Sequence, residues 1–322
     1  MQDCILVSVI ITTYGRSDFL DKAIKSVIAQ TYKNIEIIIV DDNAQKENIR
    51  QEVQNIVARY PQCSLILNKT NLGGSLARNE GIKASHGELI SFLDDDDTYF
   101  PTRIEKCVKA FSNHKNENIG IIFHHSQSVT KDGKKLGEHI NLLEKNPLAQ
   151  LLNISCIAAT SQWVVPRYSF ERVGMFENAP CKQDSIMMLK IIGGGLKPLC
   201  VNEILSNYTV HQEGKISGNP QRNIVGITNY HNWAKKYYSQ LQPAEIKNAE
   251  CRFAKDLIRN HCMLNQRKKA IAHYKVLLKY NPLSTTVIFA TLQIALGSTF
   301  YNIIQAIHRI GSPVKRLIKK HL

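Results

Sequence analysis

Four consecutive aspartates, Asp94-Asp95-Asp96-Asp97, follow the apolar run Glu88–Leu93. Carboxylates this close repel one another and raise each other's pKa values, so a cation or an exposed turn must relieve them. Oxygen donors of this kind select hard cations, Mg²⁺ or Mn²⁺. Such ions usually take one or two carboxylates and complete their shell with phosphate oxygens and water. The chemistry that fits is capture of a nucleotide diphosphate. No G-x-x-x-x-G-K-[ST] loop is present, which excludes a P-loop nucleotide hydrolase. No G-x-G-x-x-G follows a strand, which argues against a dinucleotide oxidoreductase.

Two more polar clusters close apolar runs. Thr12-Thr13-Tyr14, with Arg16 nearby, ends Ile5–Thr12, and Asp41-Asp42-Asn43 follows Ile35–Val40. Alone, an acidic pair after a strand is more often a turn or a cap. Three polar patches become a site if their strands end along one edge. The strand patterns Ile5–Thr12, Ile35–Val40, Ser64–Leu67 and Glu88–Leu93 alternate with helical ones at Asp18–Gln30, Glu47–Arg59 and Ser75–Ala84. Ser17 or Asp18 is the expected cap of the first helix. That alternation predicts βαβ units, a parallel sheet and right-handed crossovers, with ligands at the strand C-termini. Beyond Pro101 the pattern is mixed. It predicts a helix over Arg103–Phe111, strands over Ile119–His124, Ser161–Val165 and Leu199–Ile204, and a helix over Asp184–Ile192.

The chain has 322 residues, 43% of them apolar and 21% charged, a globular composition of about two domains. A net charge of +14 directs attention to anionic partners. The basic residues are dispersed or gathered near the C-terminus without an aromatic-basic motif, so nucleic acid is not the expected one. Eight scattered cysteines and the lack of a signal peptide point to a reducing, cytoplasmic setting. From about Arg222 the strands stop and three helices follow, over Asn223–Tyr238, Ala244–His261 and Asn265–Lys279. Leu283–Ile307 carries no charge, and Ile288, Leu292, Leu296, Phe300, Ile303 and Ile307 recur at helical spacing ahead of a basic tail. This reads as an amphipathic helix in contact with an anionic membrane, against a packed helix or a true span. The expected organisation is 1–218, a helical appendage over 219–282, and a tail over 283–322.

Residues 7–101 resemble the family 2 glycosyltransferases. The matching segments are Val7–Tyr14 (VSVIITTY), Ser26–Tyr32 (SVIAQTY), Ile35–Asn43 (IEIIIVDDN), Asn71–Gly81 (NLGGSLARNEG) and Gly87–Pro101 (GELISFLDDDDTYFP), in order and at the family's spacing. A weaker likeness continues through Phe170–Phe176 and His211–Ser217. The resemblance implies a GT-A (Rossmann-like) α/β fold: a mixed, mainly parallel sheet flanked by helices, here with a C-terminal helical region. It implies an inverting hexosyl- or N-acetylhexosaminyl-type transferase, with a nucleotide-diphosphate sugar, of UDP type, as donor and Mn²⁺ or Mg²⁺ as cofactor. The acceptor would be a saccharide or a polyprenyl-diphosphate-linked saccharide at the inner face of the cell membrane.

The resemblance also assigns residues. Thr12, Thr13 and Tyr14 match the loop packed against the nucleotide, and Asp42 the carboxylate facing the uracil ring. Arg78 matches a segment near the phosphates. Asp94-Asp95-Asp96 matches the D-x-D motif, with Asp94 and Asp96 as metal ligands, Asp95 toward the nucleotide, and Asp97 capping the turn. Asp184 matches the general base at a helix start, where the positive end of the helix suits a carboxylate; the preceding Gln183 departs from the family's Glu. His211 matches a residue approaching the diphosphate. A sugar nucleotidyltransferase is the alternative, but it would need a Gly-rich basic loop where this chain has Thr12–Arg16. His124-His125 is a poor metal pair, because neighbours in a strand point to opposite faces.

Overall fold

Val7–Thr13 forms β1, buried along almost its whole length. A strand covered on both faces must be apolar at nearly every position, which explains its uninterrupted pattern. The computed structural model describes residues 5–210, 219–280 and 282–302. β1 lies between β2 (Ile35–Asp41) and β4 (Leu89–Asp94), and β3 (Cys63–Leu67) lies outside β2; all four run parallel. The nine-stranded sheet continues beyond β4 through β8 (Trp163–Pro166), β6 (Ile119–Val129), β9 (Lys197–Thr209) and β5 (Thr98–Tyr99). β7 (Lys135–His139) pairs with β6. β8 is antiparallel to both neighbours, whereas β6 and β9 are parallel. The sheet is therefore mixed and mainly parallel, as the sequence led one to expect.

The crossovers are α1 (Ser17–Ile28), α2 (Glu47–Val57) and α3 (Gly74–Ala84), followed by α4 (Arg103–Asn113) after the aspartates. Leu20, Ala23, Ile24 and Val27 of α1 join Val53 and Val57 of α2 and Ile104, Cys107 and Phe111 of α4 in one core against the sheet. On α3, a Cβ added to Gly81 would lie 2.4 Å from Cγ2 of Ile10, so only glycine lets this helix rest directly on β1. The rest of this unit contains α5 (Pro147–Ile154), α6 (Arg167–Val173) and α7 (Gln183–Gly193).

One expectation fails at the start of α1. Neither Ser17 nor Asp18 caps the helix: Arg16 holds the cap position and makes no side-chain capping bond. Ser17 donates to Glu52 instead, and Asp18 pairs with Lys131 at 2.6 Å.

Residues 5–178 with 183–210 form one compact unit, and 179–182 with 219–302 a second. The second unit contains α8 (Pro220–Lys235), α9 (Pro243–Met263), α10 (Arg267–Tyr280) and α11 (Thr285–Leu296). Ile258 and Cys262 of α9, Ala270 and Leu277 of α10, and Val287 and Ala290 of α11 share a core with Phe300. Ser284 caps α11 by accepting from the amide of Val287, and Gly297, with φ +56°, stops it. That stop divides the apolar stripe. Ile288, Leu292 and Leu296 are exposed, whereas Phe300 is buried. No helix among the described residues is long and apolar enough to cross a membrane. His211 with its segment, Ile303, Ile307 and the basic tail lie outside the described residues.

Candidate active site

Strand register alone brings the polar clusters together. Thr12 is paired with Asp94 across β1 and β4, and Thr13 with Asp41 across β1 and β2. In the next few residues exposure alternates. Asp95 and Asp97 are buried, whereas Asp94 and Asp96 are partly open. The two carboxylates expected to bind metal are thus the less buried pair, whereas Asp95, expected toward the nucleotide, is buried against the Tyr14 amide and Arg16.

Asp95 accepts from the backbone amide of Tyr14 at 3.3 Å and from Nη2 of Arg16 at 2.8 Å. The other terminal nitrogen of Arg16 donates to Asp96. Burial pushes the Asp95 carboxyl up to about 7, against the pull of Arg16, with Asp96 adding to the rise. Asp97 accepts from the amide of Thr209 at 3.0 Å. Burial, then repulsion from Asp96 and Asp94, holds it well above the ordinary carboxylate range. Arg16 was not among the expected ligand-binding residues. Its one sequence signal is a basic residue in the loop after the first strand, opposite an acidic cluster 80 residues away.

The second cation comes from α3. Nη2 of Arg78 donates to Oδ1 of Asp94 at 2.6 Å, and its Nη1, also buried, has no hydrogen-bond partner among the described residues. A buried guanidinium donor left unpaired is costly unless a ligand oxygen meets it. The guanidinium lies 5.9 Å from the ring centre of Phe176. Asn79 locks that support by donating to the carbonyl of Phe176 at 2.9 Å and accepting from its amide at 3.0 Å. Phe176 in turn packs edge-on against Phe92 of β4. The family-like segment Phe170–Phe176 is thus the floor under Arg78.

Asp42 is buried and clamps the loop ahead of α3. Its Oδ1 accepts from the side chain of Asn68 and the amide of Leu72, and its Oδ2 from the amide of Gly73, each at 2.8 Å. Tyr14 is 48% exposed, and the ammonium of Lys46 sits 4.1 Å above its ring.

Asp184 is the second residue of α7 and accepts from the amide of Ser185 at 2.7 Å. It opens onto a cavity of about 260 Å³ whose lining also includes Asp97, Ser161, His139, Asn141 and Tyr208. The expected base and Asp97, the last of the four aspartates, therefore line one cavity, although 87 residues separate them in sequence. His124 and His125 contribute no metal site. His124 is buried and accepts from Nε of Arg103 at 3.0 Å, and its backbone carbonyl accepts from Gln162 and Asn141. Trp163 is fully buried, donates to the carbonyl of Ala158, and stacks on Phe176. It is part of the core.

The donor set suits Mg²⁺ or Mn²⁺ only together with a ligand. Among the described residues no group of three or more His, Cys, Asp or Glu side chains is arranged to hold a metal ion. Asp94 and Asp96 would supply two hard oxygen donors, and Arg78, whose other terminal nitrogen is without a hydrogen-bond partner among the described residues, is bonded to Asp94. Two carboxylates plus diphosphate oxygens match what these ions prefer.

The sequence model of the family described as "Glycosyl transferase family 2" matches residues 8–174, just over half of the chain. The chain is 30% identical, over 70% of its own length and 84% of the relative's, to the Escherichia coli UDP-Glc:alpha-D-GlcNAc-diphosphoundecaprenol beta-1,3-glucosyltransferase WfaP. Other curated relatives, uncharacterized rickettsial glycosyltransferases, are much longer, and the chain spans about a third of their length. Among solved structures, Staphylococcus aureus TarS 1-349 in complex with UDP-GlcNAc aligns over 92% of this chain and 90% of its own. Its TM-score is 0.63 at 14% identity. The mannosyltransferase PcManGT from Pyrobaculum calidifontis, in complex with GDP-Man and Mn²⁺, aligns over 91% of this chain and 87% of its own. Its TM-score is 0.58 at 16% identity. These likenesses show the GT-A fold.

Proposed function

The chain belongs to glycosyl transferase family 2, and on that premise we propose that it moves a hexosyl or N-acetylhexosaminyl unit from a nucleotide-diphosphate sugar, UDP-linked, to a hydroxyl of a saccharide acceptor, with inversion. One observation carries this reading. Arg78 of α3 is bonded to Asp94 at the end of β4, two residues before Asp96, and Asp97 of the same stretch lines one cavity with Asp184 of α7. In this reading a donor diphosphate at Asp94, Asp96 and Arg78 would carry its sugar toward the cavity that Asp97 and Asp184 line.

Each side chain then has a task. Asp42 has spent three of a carboxylate's roughly four acceptor sites on its loop, which leaves one for a base N–H. Thr12, Thr13 and Tyr14 wall the nucleotide at the end of β1, and Asp95 fixes that loop through the Tyr14 amide and Arg16. Arg78 offsets the charge that gathers on the departing diphosphate. Asp184 takes the acceptor proton as that oxygen attacks the anomeric carbon from the face opposite the breaking carbon–phosphate-oxygen bond. Asp94 and Asp96 would hold a Mg²⁺ or Mn²⁺ ion, which when bound would supply further charge neutralisation at the leaving group.

The acceptor we propose is a saccharide on a polyprenyl diphosphate, by analogy with the E. coli relative, with the chain peripheral on the cytoplasmic side of an anionic membrane. A screen of nucleotide sugars for Mn²⁺-dependent hydrolysis and thermal stabilisation tests the donor assignment. Stabilisation by one UDP-sugar that chelation removes supports it. No response to any nucleotide sugar with Mn²⁺ present would sink it.

A further inference from the structure

The second unit is far more basic than the first. Residues 219–302 carry twelve Lys and Arg against three acidic residues, a net of +9, and no acidic residue follows Asp256. The three acids are engaged locally. Glu250 accepts from His231 and Tyr238 at 2.8 Å, Asp256 pairs with Arg252 at 3.6 Å, and Glu245 accepts from the amide of Gln242 at 2.9 Å. The positive charge of α10 is left facing solvent.

Its placement matters more than its sum. On α10, Ala270 and Leu277 turn into the helical core, while Lys268, Ile271, Lys275 and Leu278 are exposed at spacings of three and four. Basic and apolar side chains thus alternate along one outward stripe. α11 has no charge at all. It buries Val287, Ala290 and Gln293 and leaves Ile288 60%, Leu292 44% and Leu296 40% exposed on its other side. The two helices are tied by Tyr274 and Thr291, whose hydroxyls lie 2.7 Å apart, and Leu283, between the helices, is 96% exposed.

We propose that the outer faces of α10 and α11 are the surface that docks on an anionic lipid bilayer, Ile288, Leu292 and Leu296 entering the acyl boundary and Lys268, Lys275 and Lys279 meeting the headgroups. The proposal rests on the membrane reading given above and specifies the surface that serves it. Exposed apolar side chains flanked by lysines are the composition of an interfacial helix. A nucleic acid would have no use for the uncharged face of α11. A second copy of the chain would bring two strongly positive surfaces together. Lipid with negative headgroups satisfies both halves.

Deleting the segment is a poor test, because Val287, Ala290 and Phe300 belong to the helical core. Substitution of the exposed side chains leaves that core intact. The full chain should co-sediment with vesicles of phosphatidylcholine and phosphatidylglycerol, less so at high salt, and poorly with phosphatidylcholine alone. The triple variant Ile288→Ser/Leu292→Ser/Leu296→Ser should lose more than about tenfold of that partitioning. Lys268→Gln/Lys275→Gln/Lys279→Gln, at positions where glutamine is an equally good helix former, should lose about fivefold per lysine. Nucleotide-sugar hydrolysis should be unchanged in both. Vesicle binding that survives both variants but not removal of 303–322 overturns the surface while sparing the membrane reading. No binding by the full chain overturns both, with the hydrolysis assay still reporting on the transferase assignment. Equal binding to DNA, or loss of self-association in the apolar variant, would assign the face to another partner.

Discussion

Nη2 of Arg78 and Oδ1 of Asp94 meet at 2.6 Å, from a side chain 7% exposed to one 38% exposed. The cation is fixed in the protein and its carboxylate partner faces outward. Arg16 and Asp96 form the opposite arrangement, an exposed cation at 43% on a carboxylate only 12% exposed. Asp94 and Asp96 are therefore both charge-compensated before any ligand arrives. This is how four adjacent aspartates are tolerated in the folded chain.

Removal of Asp96 should abolish metal-dependent donor binding at little cost to the fold. The Arg16–Asp96 pair is partly exposed, and such pairs contribute at most ~1 kcal/mol. Asp96→Ala should unfold within that margin of the parent chain, while Mn²⁺-dependent affinity for a UDP-sugar, measured by calorimetry, falls ~100-fold or more, given that even supporting residues of metal sites are worth ~10–100-fold. Unchanged affinity would remove Asp96 from the site.

Asp184→Asn should keep donor binding and lose transfer. A positioned general base contributes ~10²–10⁴-fold, and asparagine preserves shape without accepting a proton. Single-turnover transfer is the measurement; a drop of less than tenfold would mean that another group takes the proton.

Arg16→Ala should alter the pH dependence of stability. Burial raises the Asp95 carboxyl to about 7 from an ordinary value near 3.8. The folded state therefore holds a proton that the unfolded state has released, and this group's contribution is lost as pH rises from about 4 through 7. Arg16 opposes that rise, so its removal extends the loss to higher pH. The cost at pH 8 should be on the order of 1–2 kcal/mol, below the ~3–5 kcal/mol of a fully buried pair because Arg16 is half-exposed. Melting of metal-free protein should show a larger deficit at pH 8 than at pH 5; an equal deficit would contradict the role of Asp95.

Asn79→Ala should weaken both the fold and the donor site. It strands the amide and carbonyl of Phe176, at about 1–3 kcal/mol for each buried group left unpaired. The same change loosens the ring beneath Arg78. Urea unfolding should shift to a lower midpoint and UDP-sugar affinity should fall with it; an unshifted midpoint would show that Phe176 is held by other contacts.

The parallel half of the sheet was legible because buried strands need unbroken apolar runs and crossover helices need a 3.6-residue period, and both leave local marks. The run Ile35–Val40 and the helix after Ser17 are examples. The antiparallel part was less legible. β6 runs to Val129, well past His124, since its partners β7 and β9 come from later in the chain. In the site, motif and resemblance named Asp42, Arg78, Asp94–Asp96 and Asp184. Arg16 was noted beside the first cluster but given no role, because its partners Asp95 and Asp96 lie about 80 residues away. Asn79 was missed as the lock on Phe176.

What residue order determines by itself is therefore the periodic part: which segments become strands and helices, and which polar residues fall just past strand ends. Tertiary structure decides which of those residues meet. Register sets Thr12 beside Asp94, packing turns Asp95 and Asp97 inward, and chain return brings Asp184 to the cavity beside Asp97. It also decides that Ile288, Leu292 and Leu296 face outward while Phe300 turns in. Each of these outcomes depends on contacts between segments far apart in sequence, and a local pattern carries no record of what will pack against it.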